Sequence, residues 1–249
     1  MDEYTSITYW DNEWDKQKLE YFIEQRINSQ IIKILRPILF KGSKVLELGC
    51  VPARRLYFLQ KAFQVETYGL DYSLNGLFNS VKNNNNLLCA DLSNLPFKEG
   101  SFDLVYSLGV VEHFSDPTKV IQKHLEMVRR GGFILITVPN FYRFSMLSTI
   151  YRVAGRYKQL KQTHNMKIMN LNNFNALFKQ FNLEAFISDY YGPFVVYSPP
   201  VPFLRRLCAR INNFIDRRAI MSRFFSPDLV FISKKNLTDS TFQIQSSFE

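Results

Sequence analysis

Glu47, Asp71 and Asp91 each stand at or beside the end of a short apolar run, and Gly49 follows the first of them closely. In an open α/β sheet, the carboxyl end of a strand turning into a helix presents backbone N–H groups and a helix dipole to a crevice. Ligands settle there. A carboxylate at the end of the second strand, 24 residues after Glu47, is placed to accept both hydroxyl hydrogens of a ribose, and Asp71 fits that role. His113 follows the fourth apolar run, at the mouth of the same crevice. An imidazole with an ordinary pKa suits base chemistry or contact with a substrate. His124, in a helical stretch, and His164, in a linker, are expected to be structural or solvent-facing.

The elements that must hold these residues follow from hydrophobic periodicity. Leu19, Phe22, Ile23, Ile27, Ile31, Ile34 and Leu35 recur at three- and four-residue spacings, predicting a helix over 14–36 that Pro37 closes. Strands are predicted at 44–48, 65–70, 87–90, 102–107, 133–138, 183–188 and 229–233. Helices are predicted at 53–62, 73–81, 117–128, 141–156 and 171–180, with a turn at Gly131-Gly132. Strands apolar on both faces and alternating with helices imply a parallel sheet between helix layers.

Four stretches in order carry a resemblance. Residues 45–56, VLELGCVPARRL, resemble motif I of class I S-adenosylmethionine-dependent methyltransferases, in which an acidic residue precedes a GxGxG loop. Glu47 and Gly49 match, while Val51 and Ala53 stand where the second and third glycines are expected. Residues 66–73 (ETYGLDYS), 89–113 (CADLSNLPFKEGSFDLVYSLGVVEH) and 129–140 (RRGGFILITVPN) resemble the family's following blocks. The pair Glu112-His113 is similar to that of its small-molecule branch, the ubiquinone-biosynthesis-like or type 11 methyltransferases.

The resemblance implies an α/β, Rossmann-like, mostly parallel seven-stranded sheet flanked by helices, with an N-terminal helix and a helical insertion before the last strand. It implies S-adenosyl-L-methionine as cofactor and S-adenosyl-L-homocysteine as product. Glu47, Gly49, Cys50, Val51, Ala53, Asp71, Tyr72, Asp91, Leu92 and Ser107 would bind the cofactor, with Asp91 and the Leu92 backbone at the adenine amine. His113 would lie near the donor as catalytic base. A β-branched Val51 in a glycine position must strain or take a different turn. That departure keeps a second reading open, in which a degenerate loop leaves a non-catalytic scaffold or binding partner. A nicotinamide-dependent oxidoreductase is disfavoured because the first loop lacks GxGxxG.

The length of 249 residues suits one domain over 1–235: an N-terminal helix and cofactor-binding core at 14–140, substrate-side helices and insertion at 141–227, and a mobile tail at 236–249. Three cysteines without CxxC spacing suggest neither disulfides nor zinc, and no metal is expected. The acidic, aromatic start does not resemble a signal peptide, and no apolar stretch nears the roughly 20 residues that span a bilayer. A cytoplasmic protein is expected, peripheral at the inner membrane face if its insertion binds lipid.

A net charge of +9 favours anionic partners. Ser107-Leu108-Gly109 stands where an amino-methylating DNA enzyme carries (D/N/S)PP(Y/F/W), so no nucleic-acid partner is expected. In the insertion, apolar residues at helical spacing from Phe203 to Ile215 mix with Arg205, Arg206, Arg210, Arg217 and Arg218. Such a helix over 203–218 can lie on an anionic membrane or guard a lipid-linked or phosphorylated acceptor. The expected chemistry is O-methylation of a small molecule or glycan, in glycan or natural-product biosynthesis.

Overall fold

The computed structural model describes residues 3–16, 31–80, 86–142, 145–192, 206–207, 210 and 219–236. Seven strands form one sheet: β1 (Lys44–Leu48), β2 (Glu66–Asp71), β3 (Leu87–Cys89), β4 (Phe102–Leu108), β5 (Val128–Pro139), β6 (Ala185–Tyr191) and β7 (Asp228–Lys234). Their order is β3-β2-β1-β4-β5-β7-β6. Pairings from β3 through β5 are parallel, and β7 runs antiparallel between β5 and β6. This is the predicted mostly parallel, Rossmann-like sheet. The chain reverses its strand order between β1 and β4, which opens a crevice at the carboxyl ends of those two strands.

Alternation along the strands sorts side chains onto two faces. Leu46, Leu48, Val105, Ile134, Ile136, Leu229 and Phe231 pack with α4 (Pro117–Met127) and α7 (Leu171–Lys179). Val45, Leu104, Tyr106, Leu135, Val230 and Ile232 pack with α2 (Arg54–Phe63) and with Ile31, Leu35, Ile38 and Leu39. Both layers therefore cover apolar strand faces, as the unbroken apolar runs required. On the first face, Phe178 of α7 stacks on Phe231 with ring centroids 3.6 Å apart and planes 3° off parallel.

Helix starts follow local capping chemistry. The Asp116 carboxylate accepts from the Thr118 amide ahead of Pro117, and Asn170 accepts from the Asn173 amide. Ser73 caps α3 (Leu74–Phe78) by accepting from the Gly76 amide.

Several expectations need correcting. A helix, α1 (Ile7–Lys16), begins earlier than predicted; residues 31–35 are helical too, and 17–30 lie outside the described residues. The Gly131-Gly132 turn is instead part of β5, which begins at Val128. Gly131 takes a φ of 72° there and donates its amide to the Lys235 carbonyl, while the pairing with β4 shifts register between Phe102 and Leu104. The glycines absorb an irregularity within a ladder and do not end it. The predicted helix over 141–156 shortens to α5 (Met146–Val153), because the Ser145 hydroxyl accepts from the Ser148 amide and starts the helix there. A separate α6 (Tyr157–Thr163) follows.

Most of the insertion at 192–227 lies outside the described residues, so the predicted amphipathic helix over 203–218 is represented only by Arg206, Leu207 and Arg210, all exposed and helical. A short α8 (Ala219–Phe225) leads into β7. No helix among the described residues is long and apolar enough to cross a membrane. The tail expected at 236–249 lies outside them beyond residue 236.

Phe178 is fully buried, and its truncation leaves a cavity under β7. Phe178→Ala is expected to cost about 3–5 kcal/mol, read as a lowered midpoint in denaturant unfolding; a loss under about 1 kcal/mol would show that this stack does not anchor α7.

Candidate active site

The crevice holds a cavity of about 300 Å³. Its floor comes from strand ends and the loops after them: Gly49, Val51 and Pro52 after β1, Asp71 and Tyr72 at β2, Ala90 and Leu92 after β3, and Leu108, Gly109 and Val110 at β4. Arg55, His113 and Phe114 complete the wall. Glu3, Thr5, Trp10 and Trp14, from the N-terminal segment, close it.

The loop after β1 solves its glycine problem locally. Gly49 has a φ of 73°, and a Cβ there would come within 2.5 Å of a Val110 methyl, so glycine is required by backbone and by space. Val51 keeps a negative φ, and its peptide to Pro52 is cis. The positive φ, 60°, falls on Ala53, the residue just before α2 and the third glycine position. Alanine bears a left-handed conformation at smaller steric cost than a β-branched residue would. The loop therefore takes a different turn, and Val51 packs beside Gly76.

Asp71 organises the floor. One carboxylate oxygen accepts from the Val51 amide and the other from the Ser73 amide, both at 3.0 Å. Burial pushes its pKa up against the opposing pull of the Ser73, Val51 and Tyr72 backbone hydrogen bonds. Each carboxylate oxygen has a second lone pair, so room for two hydroxyl donors from the cavity is left.

Other predicted residues sit around this centre without lining it. Glu47 is buried behind the loop and accepts from the Tyr106 hydroxyl at 2.9 Å. Burial raises its carboxyl to about 8, with Arg55 and the Tyr106 hydrogen bond opposing. Cys50 is buried beside Gly69, and burial holds its thiol well above the usual range. Ala53 is fully buried. Asp91 lies between two lining residues, Ala90 and Leu92. Burial works to raise its pKa, but hydrogen bonds from the Ser93 amide and hydroxyl prevail and lower it. Ser107 is buried and bonds His124 Nε2 at 2.9 Å, while His124 Nδ1 donates to the Val120 carbonyl at 2.8 Å. His124 is thus a satisfied core residue, as expected.

His113 faces the cavity from a 3-10 turn, Val111–His113, directly after β4. Its Nδ1 lies 2.8 Å from the Thr163 carbonyl, which can only accept. The proton therefore sits on Nδ1, and Nε2 keeps its lone pair. Burial, reinforced by the neighbouring His164, lowers the ring's pKa to about 3, so it is neutral at physiological pH.

The N-terminal segment is tied to this turn. The Tyr4 amide donates to the His113 carbonyl at 2.8 Å, Glu3 bridges Phe114, and the Trp10 ring meets His113 edge-on at 4.7 Å. Trp10 stacks on Trp14 at 6.0 Å, and Trp10 Nε1 donates to the Thr5 hydroxyl. Of the aromatic residues near the start, Tyr9 packs on Trp10, while Tyr4 is exposed.

Sequence reasoning missed Trp14, Arg55, Glu3 and Thr5. Trp10 and Trp14 sit four apart, a helical spacing that signals one shared face. Arg55 follows the loop directly within ARRL. His164 also escaped: its ring centroid lies 4.3 Å from that of His113, a pairing across 51 positions for which the sequence offers no signal.

Residues 46–136 match the family model described as a methyltransferase domain. Over these residues the chain is similar to class I S-adenosylmethionine-dependent methyltransferases of the type 11 kind. It is 26% identical over 102 residues to phosphoethanolamine N-methyltransferase 3 of Arabidopsis thaliana, covering 39% of this chain and 21% of that protein. It is 26% identical over 149 residues to the malonyl-[acyl-carrier protein] O-methyltransferase of Legionella pneumophila, covering 56% and 51%. The chain thus spans between a fifth and a half of these relatives. In fold it is similar to a SAM-dependent methyltransferase from Archaeoglobus fulgidus, with a TM-score of 0.55, 18% identity, and coverage of 93% of this chain and 100% of that one.

The site fits S-adenosylmethionine. Cavity volume lies at the lower end of the roughly 300–1,000 Å³ range of ligand pockets. Apolar walls at Val51, Leu70, Leu92 and Val110 suit a flat base, and Asp71 suits ribose hydroxyls.

Both tryptophans of the chain line this cavity. Titration with S-adenosylhomocysteine is therefore expected to change intrinsic tryptophan fluorescence, and Asp71→Ala to weaken binding by about 100-fold, from two lost charge-assisted hydrogen bonds. A silent titration, or an unchanged affinity in that variant, would separate the cavity from the cofactor.

Glu47 adds a pH dependence. A carboxyl whose folded pKa exceeds its unfolded value holds its proton more tightly when folded. The stabilisation is full below the unfolded value, near 4.5, and is lost as pH rises toward about 8. Stability is expected to fall between pH 5 and 8, and Glu47→Gln to make that fall shallower; an identical slope in the variant would exclude Glu47 as a source.

Proposed function

We propose that this protein transfers the methyl group of S-adenosylmethionine to an oxygen of a small-molecule or glycan acceptor, with His113 receiving the proton. The observation that carries the reading is the His113 tautomer: Nδ1 is committed to the Thr163 carbonyl, which leaves the Nε2 lone pair free on a residue that lines the cavity with Asp71 and Gly49.

When bound, the cofactor supplies an electrophilic methyl carbon on a positively charged sulfur. The protein has to align an acceptor oxygen with that carbon at about 3–3.5 Å, exclude water and dispose of one proton. Trp10 and Trp14, closing over the cavity, exclude water. Bound cofactor would supply the methyl group and keep the bonding pair of the broken carbon–sulfur bond on sulfur, while His113 Nε2 would receive the hydroxyl proton of the acceptor oxygen. A base as weak as this buried imidazole is sufficient, because an oxygen carrying a new methyl group and still holding its proton is a far stronger acid than imidazolium.

The relatives named above act on different acceptor atoms, nitrogen in one and oxygen in the other. Similarity to these enzymes therefore leaves the acceptor open, and the neutral histidine favours an oxygen that must lose a proton. The alternative of a non-catalytic scaffold predicts a collapsed loop. An open cavity beside a displaced but regular turn supports catalysis instead.

The test uses methyl-labelled cofactor, purified protein and fractionated cell extract. Label is expected in the small-molecule or glycan fraction, with transfer by His113→Ala at least 100-fold slower and its S-adenosylhomocysteine affinity within about threefold of the parent. Label confined to RNA or protein would overturn the acceptor class, and unimpaired transfer by the variant would remove His113 from proton transfer.

A further inference from the structure

Beside the cavity, at the turn that carries His113, three side chains that the methyl-transfer chemistry does not jointly require meet in one place. A Glu112 carboxylate oxygen, a His113 ring nitrogen and a His164 ring nitrogen all lie within 4.8 Å of one another. Glu112 is 1% exposed, and its Oε2 is buried with no hydrogen-bond partner. An orphaned carboxylate oxygen in a dry site is costly unless a cation or donor meets it.

Both histidines are oriented from the same residue. The Thr163 carbonyl accepts from His113 Nδ1, and the Thr163 hydroxyl lies 2.7 Å from His164 Nδ1. Backbone or side-chain oxygens that engage one imidazole nitrogen hold the ring in place and present the other as a metal ligand.

We infer that Glu112, His113 and His164 form a binding site for a divalent transition-metal ion of the zinc, cobalt or iron(II) class. Two imidazoles and one carboxylate are the donor set those ions favour, with further positions left open. Around an ion with metal–nitrogen bonds of about 2.0–2.1 Å, ligand atoms stand roughly 3.3–3.4 Å apart, so closing the triangle takes side-chain movements of about 1 Å. Magnesium and calcium are the wrong partners, since they prefer all-oxygen shells.

This site goes beyond the methyl-transfer reading and stands without it. The two touch at one atom, because an ion on His113 Nε2 takes the lone pair that would otherwise receive the acceptor proton. Metal loading and proton transfer are therefore alternatives at that nitrogen. Cysteine spacing, which led to the expectation of no metal, is blind to such a site, since its ligands come from the turn after β4 and the segment after α6.

The experiment titrates metal-free protein with Co2+, followed by its visible absorption, and measures S-adenosylhomocysteine affinity in parallel. The parent protein is expected to bind one Co2+ per chain in a low-symmetry nitrogen and oxygen environment, with Zn2+ displacing it. Glu112→Gln and His164→Asn are each expected to weaken Co2+ binding at least tenfold while retaining S-adenosylhomocysteine binding. The assignment is overturned if the parent gives no stoichiometric Co2+ spectrum, if a cysteine-thiolate charge-transfer band dominates it, or if binding survives both substitutions undiminished. Loss of cofactor binding in the parent would count against the methyl-transfer reading alone, since the cobalt spectrum is read independently.

Discussion

The carboxylate of Asp71 accepts backbone hydrogens from Val51 and Ser73, and the Leu70 carbonyl beside it accepts the amides of Gly49 and Cys50. The end of β2 thus fixes the loop after β1 on one side and the start of α3 on the other. Buried amides need partners, and these amides belong to a loop without two of the glycines usual for its type. The Asp71 carboxylate and the Leu70 carbonyl let the turn be redrawn with a positive φ on Ala53 while the floor of the cavity stays in place. The same residue lines the cavity, so a structural requirement and the proposed binding role fall on one residue.

On the opposite wall, the turn at 111–114 joins two segments distant in sequence to the end of β4. Its carbonyls and rings take Tyr4 and Trp10 from the N-terminal segment, Thr163 and His164 from the end of α6, and the end of β4 itself. The Asn165 amide also donates to the Glu112 carbonyl. This junction decides the state of His113: a carbonyl that can only accept sets the tautomer, and dense packing removes the charge. A histidine at the same position with an exposed ring would be a stronger base and a less defined one.

The sheet was legible because its signal is strong and local. Runs such as KVLEL and FILITV are apolar on every residue, which only strands covered on both faces tolerate, and each ended near its expected boundary. Element limits were less legible where a cap or a bulge intervened. Ser145 started a helix later than hydrophobicity suggested, and Gly131-Gly132 looked like a turn because a glycine pair is compatible with a turn and with an irregular ladder alike.

For the site, the sequence by itself determined the residues at strand ends: Gly49, Asp71, Leu92 and His113 line one cavity because a parallel sheet delivers its carboxyl edge to a common crevice whatever the details of its loops. Tertiary structure alone decided which of their neighbours face inward. Glu47, Cys50 and Ser107 turned to the interior, where Tyr106, Gly69 and His124 receive them. Trp14 and His164 arrived from outside the motifs, and Arg55 from within the first of them. Orientation of a side chain at a strand end depends on the partner packed against it, and that partner is supplied by a segment whose distance along the chain carries no periodic signal.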